Sequence, residues 1–263
     1  MKKPNGIFIT GTDTGVGKTI ISAALLCGLK STGVHTDAFT LKLRNESERV
    51  DAVYMKPVQT GCLKKSGQLI APDLELVDSL ADINPSGKER QLTSPYRFRQ
   101  ACSPHLAAAL ERRNISLSKI MKAFAGLKSR HDFVIVEGAG GILTPLSWQY
   151  SMLDVMKSLS LPVILVARPG LGTINHTLLS LRELRRAKLN ILGVVLNYSS
   201  AKTKGIIEAS NKEAVERLGR VPVLAEFPFL GNLQRGACSR KIRERIQNTA
   251  LKTFPDILKV LQV

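Results

Sequence analysis

Paired cysteines, aromatic side chains and acidic residues are all scarce in this sequence. Its four cysteines, Cys27, Cys62, Cys102 and Cys238, stand far apart and form no C-x-x-C pair. That excludes a metal-ligand spacing and a secreted disulfide framework, and leaves each cysteine as a small buried hydrophobe. Long apolar runs are missing too. The longest, Val163–Ala167 and Ile191–Leu196, fall far short of the roughly 18 residues that span a bilayer. The opening Met1–Gly6 passes straight into Ile7-Phe8-Ile9, too brief a run for a signal peptide. A cytoplasmic protein with no membrane partner is expected.

Acidic residues number 21 against 38 Lys plus Arg, a net charge of +17. Such an excess first suggests nucleic acid. Yet the charge is spread along the chain, and its densest cluster, Arg235, Arg240, Lys241, Arg243 and Arg245, has no interleaved aromatics. Aromatics are only 5% of the chain, and no recognition-helix, zinc-finger or RNA-binding signature accompanies the cluster. The charge reads as a basic surface that attracts polyanionic small molecules, with no nucleic-acid partner.

What is present is an alternation of strand and helix. Nearly continuous apolar runs at Gly6–Thr10, Ala52–Val58, Asp132–Val136, Leu161–Ala167, Ile191–Asn197 and Val221–Phe227 suit strands covered on both faces. Helical patterns lie between them at Lys18–Thr32, Leu74–Ala81, Pro104–Arg113, Leu117–Arg130, Thr173–Ala187 and Asn211–Leu218. Asn114–Ser116 stand where a cap belongs. This rhythm predicts a parallel sheet flanked by helices, an α/β fold. With 263 residues and no Pro-, Gly- or Ser-rich linker, one domain over 1–263 is expected. His35–Asp51 fits badly and reads as a strand followed by a charged surface excursion.

Three motifs carry chemistry. The first is Thr10-Gly11-Thr12-Asp13-Thr14-Gly15-Val16-Gly17-Lys18-Thr19, at the first strand-to-helix junction. Phosphate binding needs free backbone N–H groups, a helix N-terminus and a cation. Thr14 to Gly17 supply the loop, Lys18 reaches the β and γ phosphates, and the Thr19 hydroxyl suits Mg²⁺. The strict spacing G-x-x-x-x-G-K-[ST] would place glycine at Thr12, so this is a variant phosphate loop. The second is the strand Asp132–Val136, ending in Glu137-Gly138-Ala139-Gly140-Gly141. It puts a carboxylate at the C-terminal edge of the sheet, where a Mg²⁺ ligand belongs; the bland alternative is a turn cap. The third is Lys56 in Tyr54-Met55-Lys56-Pro57-Val58-Gln59-Thr60. A strand-end lysine is costly without an anionic partner, and it could present a second cation to a phosphoryl or carboxylate group, or merely snorkel. His105 and His176 begin helix patterns and read as first-turn or core histidines.

Taken in order, these motifs resemble those of the dethiobiotin synthetases: G-T-D-T-G-V-G-K-T at 11–19, K-P-V-Q-T-G at 56–61, S-P-H at 103–105, V-E-G-A-G-G at 136–141 and L-G-T-I-N-H at 171–176. Asn197 after its strand and Pro228-Phe229-Leu230 continue the series. The resemblance implies the phosphate-loop NTPase fold of the MinD type, a homodimer, and an ATP-dependent cyclo-ligase with Mg²⁺ as cofactor. Its reaction would take 7,8-diaminononanoate and CO₂ (or bicarbonate) through a carbamate and its phosphoric anhydride to dethiobiotin. Carried over residue by residue, it makes Lys18 and Lys56 catalytic, and Thr19, Asp73 and Glu137 the metal ligands. Thr14–Thr19, Asp73, Glu137–Gly140, Asn197, Tyr198 and Pro228–Leu230 would bind ATP. Thr60, Leu171, Gly172, Thr173 and Asn175 would contact the substrate. Arg235 stands where some members have an acid, and Gly15 where some have one. The competing reading is a MinD-like positioning ATPase; those carry a signature lysine where this chain has Asp13, and often a membrane-binding tail, for which Ile242–Val263 is a basic, partly apolar candidate.

Overall fold

The computed structural model describes residues 5–31, 34–37, 40–43, 50–85, 87–201, 204–231 and 239–262. Cys238, Arg235 and the charged stretch 44–49 lie outside them. In chain order the elements begin β1 (Gly6–Gly11), α1 (Lys18–Lys30), β2 (Val34–Asp37), β3 (Thr40–Leu43), β4 (Ala52–Met55) and β5 (Val58–Gln59). Then come β6 (Leu63–Lys65), β7 (Gln68–Ile70), α2 (Pro72–Ala81), α3 (Gly87–Thr93), β8 (Tyr96–Arg97), α4 (Pro104–Leu110) and α5 (Leu117–Lys128). The remainder is β9 (Phe133–Glu137), α6 (Met152–Leu159), β10 (Val163–Ala167), α7 (Thr173–Arg186), β11 (Ile191–Asn197), α8 (Ile206–Gly219), β12 (Val223–Phe227), α9 (Arg240–Thr253) and α10 (Pro255–Gln262).

Six strands form one sheet in the order β12-β11-β10-β1-β9-β4, and every pairing in it is parallel. After β1 the chain goes out to the β4 edge, returns through β9, and then crosses to β10 on the other side of β1. This reversal of direction is where parallel sheets open a crevice at their carboxyl ends. β1, β4, β9 and β10 are buried throughout, as helices on both faces require.

The two-residue period of a strand then decides which helix each side chain meets. Ile7, Ile9, Tyr54, Phe133 and Ile135 pack in the core cluster containing α1 and α2 side chains such as Ile21, Leu25 and Leu74. Phe8, Val53, Met55, Val134 and Val136 pack in the opposite cluster, with Ile120 and Phe124 of α5 and Met152 and Met156 of α6. The same period carries Glu137, and Lys56 beyond β4, onto the α1 face.

Strand ends differ from the sequence expectation at prolines. The run Ala52–Val58 breaks at Lys56-Pro57, because Pro57 has no N–H for the ladder; β5 instead pairs with β8. Helix α8 starts earlier than its apolar pattern, where the Glu208 carboxylate accepts the Gly205 N–H at 2.9 Å. Ser116 caps α5 as its position suggested, its hydroxyl accepting the Lys119 N–H. Helix α6 was not expected, although Ser151 and Asp154 carry its capping box. Within the excursion, β2 and β3 form an antiparallel hairpin. Among the described residues, no helix is long and apolar enough to cross a membrane.

Candidate active site

The phosphate loop joins β1 to α1. Gly17, at the helix N-cap, has φ +96° and gives no side-chain cap; Ile20 donates its N–H to the Gly17 carbonyl, which leaves the N–H groups of Lys18 and Thr19 for an anion. Gly15 also lies at positive φ, +73°. A Cβ at Gly17 would stand 2.0 Å from the Asn197 side-chain nitrogen. That nitrogen donates to the Val16 carbonyl at 3.0 Å, so β11 braces the loop. Gly17→Ala is therefore expected to lose at least about tenfold in ATP affinity, from a left-handed strain of roughly 1–3 kcal/mol and a displaced Asn197. Wild-type binding by calorimetry would contradict this bracing.

Glu137 is the hub of the site. It is fully buried, and each of its oxygens accepts two hydrogen bonds. Oε1 accepts from Thr19 Oγ1 at 3.0 Å and Lys56 Nζ at 2.6 Å. Oε2 accepts from Ser22 Oγ at 2.9 Å and the Tyr54 hydroxyl at 2.8 Å. Lys56 also meets Asp73 Oδ2 at 2.9 Å, and Asp73 sits in the first turn of α2, where the helix dipole favours a negative charge. Lys18 donates to the Asp13 carbonyl at 2.8 Å. The structure thus brings Lys18, Thr19, Lys56, Asp73 and Glu137 together.

The two lysines are pushed in opposite directions. Burial, and then the charge of Lys56, lowers Lys18 to a pKa of about 8. Burial also opposes the Lys56 ammonium, but Glu137 and then Asp73 more than reverse that and hold its pKa above the ordinary value. The phenol of Tyr54 is pushed well up by burial and by Glu137, so it remains a donor. Glu137→Gln, which keeps the shape and removes the charge, is expected to destabilise the protein by about 1–3 kcal/mol, because Lys56 and the hydroxyl donors lose their anionic acceptor. Unchanged denaturant unfolding would rule out the hub.

The donor set fits Mg²⁺ in kind. Thr19 and Asp73 offer hard oxygens, and Mg²⁺ takes one or two carboxylates beside substrate phosphates and waters; Glu137, whose oxygens already accept four hydrogen bonds, would join by releasing one of its donors. Among the described residues no cluster of three or more His, Cys, Asp or Glu side chains forms a ready-made cage.

Other expected residues lie further out. Asn197 is buried, and with one amide N–H donated to Val16 it keeps its oxygen and its second N–H for a base. The Tyr198 hydroxyl donates to Glu226 Oε1 at 3.1 Å, and burial, then Glu226, raises its pKa to about 12. Pro228 is exposed, Phe229 half-buried and Leu230 buried. Gly138 donates its N–H to Ile9, while Ala139 and Gly140 are half-buried in the following turn. Thr60 is half-buried beyond β5. At the start of α7, Leu171 is fully exposed, Asn175 is exposed, Gly172 lies at positive φ, and buried Thr173 bonds Thr177 at 3.3 Å. Among the described residues, no hydrogen bond joins Thr60 or this α7 start to the Glu137 hub. Between the phosphate loop, the turn after Glu137 and α7 runs a cavity of about 880 Å³, touching Thr12, Asp13, Gly141, Leu143, Arg182 and Arg186.

Sequence reasoning missed Ser22, Tyr54 and Arg168. Ser22 stands three residues beyond Thr19 on one helical face, and Tyr54 two before Lys56 on one strand face, so periodicity held both signals. Arg168 directly follows β10 and donates to the Thr14 carbonyl at 3.2 Å, a contact that needs the β1–β10 pairing to foresee.

A family model described as an AAA domain matches residues 5–237. The ATP-dependent dethiobiotin synthetase BioD of Thermodesulfovibrio yellowstonii is 36% identical over 256 residues, 95% of each chain. The chain belongs to the dethiobiotin synthetase family. The Bacillus subtilis synthetase is 32% identical over 94% of this chain and 96% of its own. The bifunctional biotin biosynthesis protein BioCD of Bordetella avium is 39% identical over 87% of this chain, which corresponds to 40% of that longer protein. The septum site-determining protein MinD of Pyrococcus horikoshii, solved with Mg-ADP, superposes with a TM-score of 0.52 over 98% of this chain and 94% of its own at 18% identity. That likeness shows the phosphate-loop NTPase fold alone.

Proposed function

We propose that this chain is an ATP-dependent dethiobiotin synthetase, a cyclo-ligase of biotin biosynthesis acting on 7,8-diaminononanoate, CO₂ (or bicarbonate) and ATP. One observation carries the reading: buried Glu137 ties Thr19 of the phosphate-loop helix to Lys56 of a different strand. A nucleotide site and an acceptor-side cation are thereby locked in one geometry.

In this reading the substrate amine and CO₂ form a carbamate. A carbamate oxygen attacks the γ-phosphorus and ADP leaves. The second amine then attacks the carbonyl of the mixed anhydride, phosphate departs and the ureido ring closes. No nucleophilic side chain is needed, because phosphoryl transfer rests on alignment and charge neutralisation. Lys18 and the free N–H groups of α1 hold the β and γ phosphates. Lys56 lies on the acceptor side and balances carbamate charge. Thr19, Asp73 and Glu137 would hold Mg²⁺, which supplies charge neutralisation across the β and γ phosphates. The Asn197 oxygen accepts from an exocyclic amine, which suits adenine. Tyr198 and Pro228–Leu230 flank the base, and Glu137–Gly140 approach the phosphates.

By correspondence with the family, Thr60 contacts the substrate and the α7 start at Leu171–Asn175 receives its carboxylate. The family resemblance makes the working form a homodimer, and Leu171 and Trp148, 100% and 90% exposed, are apolar side chains that a second copy would cover. The whole chain acts as one domain in the cytoplasm, without nucleic-acid or membrane partners. The test is product formation from diaminononanoate, bicarbonate, ATP and Mg²⁺. ATP turnover without dethiobiotin would reject the reading.

A further inference from the structure

A second cavity, of about 490 Å³, lies at the β8 end of the molecule and is lined by Arg97, Arg113, Lys119 and Lys122 together with apolar Leu69, Leu92, Pro95 and Ala123. No carboxylate lines it among the described residues. Lys119 and Lys122 stand one turn apart on α5, so their side chains share a face. Lys119 lies 4.7 Å over the Tyr96 ring, and Arg113 lies 4.7 Å over Phe98. These aromatic faces hold the two cations in place.

Two of the surrounding cations are already neutralised. Arg90 pairs with Asp78 and Glu75, and Arg113 shares its charge with Glu111 at 3.4 Å. Arg97 is different. Its guanidinium donates to the Leu69 and Arg90 carbonyls, its Nε is buried with no partner, and among the described residues it makes no ion pair. Lys119 and Lys122 make none either. Burial, and next the charge of Arg90, lowers the pKa of Arg97 by more than the nearby Glu75 and Asp78 restore.

We propose that this cavity binds a small organic phosphate, its anionic group held by Arg97, Lys119 and Lys122 and its carbon skeleton against Leu69, Leu92 and Pro95. Charge-assisted bonds to phosphate are the strong class, and guanidinium is shaped for them. The volume lies within the range of small-molecule sites, and the recessed, partly apolar wall favours an organic ester over the bare ion.

The wall is also hydrogen-bonded to the acceptor side of the active site. The Lys56 N–H donates to Thr93, that of Phe98 to Gln59, and that of Cys62 to Phe98. A ligand here would brace the segment that follows Lys56. The site itself is separate from the phosphate loop and does not depend on the synthetase reading.

The test is calorimetric titration of the full chain, its phosphate loop saturated with a non-hydrolysable ATP analogue and Mg²⁺, with ribose 5-phosphate and with inorganic phosphate. Ribose 5-phosphate should bind at one site per chain, more tightly than phosphate. The Lys119→Gln/Lys122→Gln double variant should weaken it at least about tenfold and leave the affinity for the ATP analogue unchanged. Absence of saturable binding by either probe would overturn the proposal, as would binding that the double variant leaves intact. Stronger, lysine-dependent binding of a duplex oligonucleotide would also overturn it, in favour of a nucleic-acid surface.

Discussion

Replacing Lys18 by methionine is expected to abolish ATP binding and, at the same time, to stabilise the protein. Lys18 is 6% exposed, and burial with the neighbouring Lys56 lowers its pKa from 10.5 to about 8. A lysine whose folded pKa is depressed binds fewer protons folded than unfolded between those two values. Stability therefore rises with pH across the window from about 8 to 10.5, and the full cost of the buried ammonium is felt below about pH 8. By linkage that cost is about 3 kcal/mol. Methionine fills similar volume without the charge, so at neutral pH the variant should gain about 2–3 kcal/mol in denaturant unfolding, and the gain should shrink above about pH 8. The wild-type lysine is held ready for an anion, whose arrival raises its pKa again. ATP affinity in the wild type should accordingly fall by up to about tenfold per pH unit above pH 8, with proton uptake on binding. A variant that is less stable at every pH, or that still binds ATP, would contradict the assignment of Lys18 to the phosphates.

Much of this was legible in the sequence because parallel α/β sheets leave periodic traces. The apolar strands ending at Gly11, Glu137 and Asn197 carry their site residues at the C-terminal edge, and local pattern suffices to place them. Legibility failed where an outcome depended on pairing between distant strands. Nothing near Arg168 in sequence says that β10 lies beside β1, so its contact with the Thr14 carbonyl could not be read. The same holds for Asn197: its position after a strand was evident, but not that its amide donates to Val16. Proline placement set strand ends that hydropathy ran through, as at Pro57. The Glu137 hub is an intermediate case. Its four donors lie on α1 and on or just past β4, at spacings of three and two residues, yet only the order β1-β9-β4 brings those elements around one carboxylate.

Lys56→Gln is expected to retain most of the ATP affinity and to lose dethiobiotin formation by about 10²–10³. The two lysines of the site are not equivalent. In the proposed reading Lys18, on the phosphate loop, serves any nucleotide, whereas Lys56 follows β4 and is locked between Asp73 and Glu137 at 2.9 and 2.6 Å. Those carboxylates keep it an ammonium despite the burial that opposes its charge. A cation fixed in this way needs no reorganisation when charge passes from a carbamate to a phosphoryl group. Removing one such preorganised donor costs roughly 3–4 kcal/mol of transition-state stabilisation. Glutamine keeps hydrogen-bonding capacity and removes only the charge, so the substitution isolates electrostatics. It also leaves Asp73 and Glu137 facing each other without their shared cation, and a modest loss of stability should accompany the loss of rate. The measurements are ATP binding by calorimetry and product formation at saturating diaminononanoate and bicarbonate. A fall in kcat with ATP affinity preserved places Lys56 on the acceptor in the transition state. Undiminished synthesis would remove it from catalysis, and loss of ATP binding alone would return it to the nucleotide site.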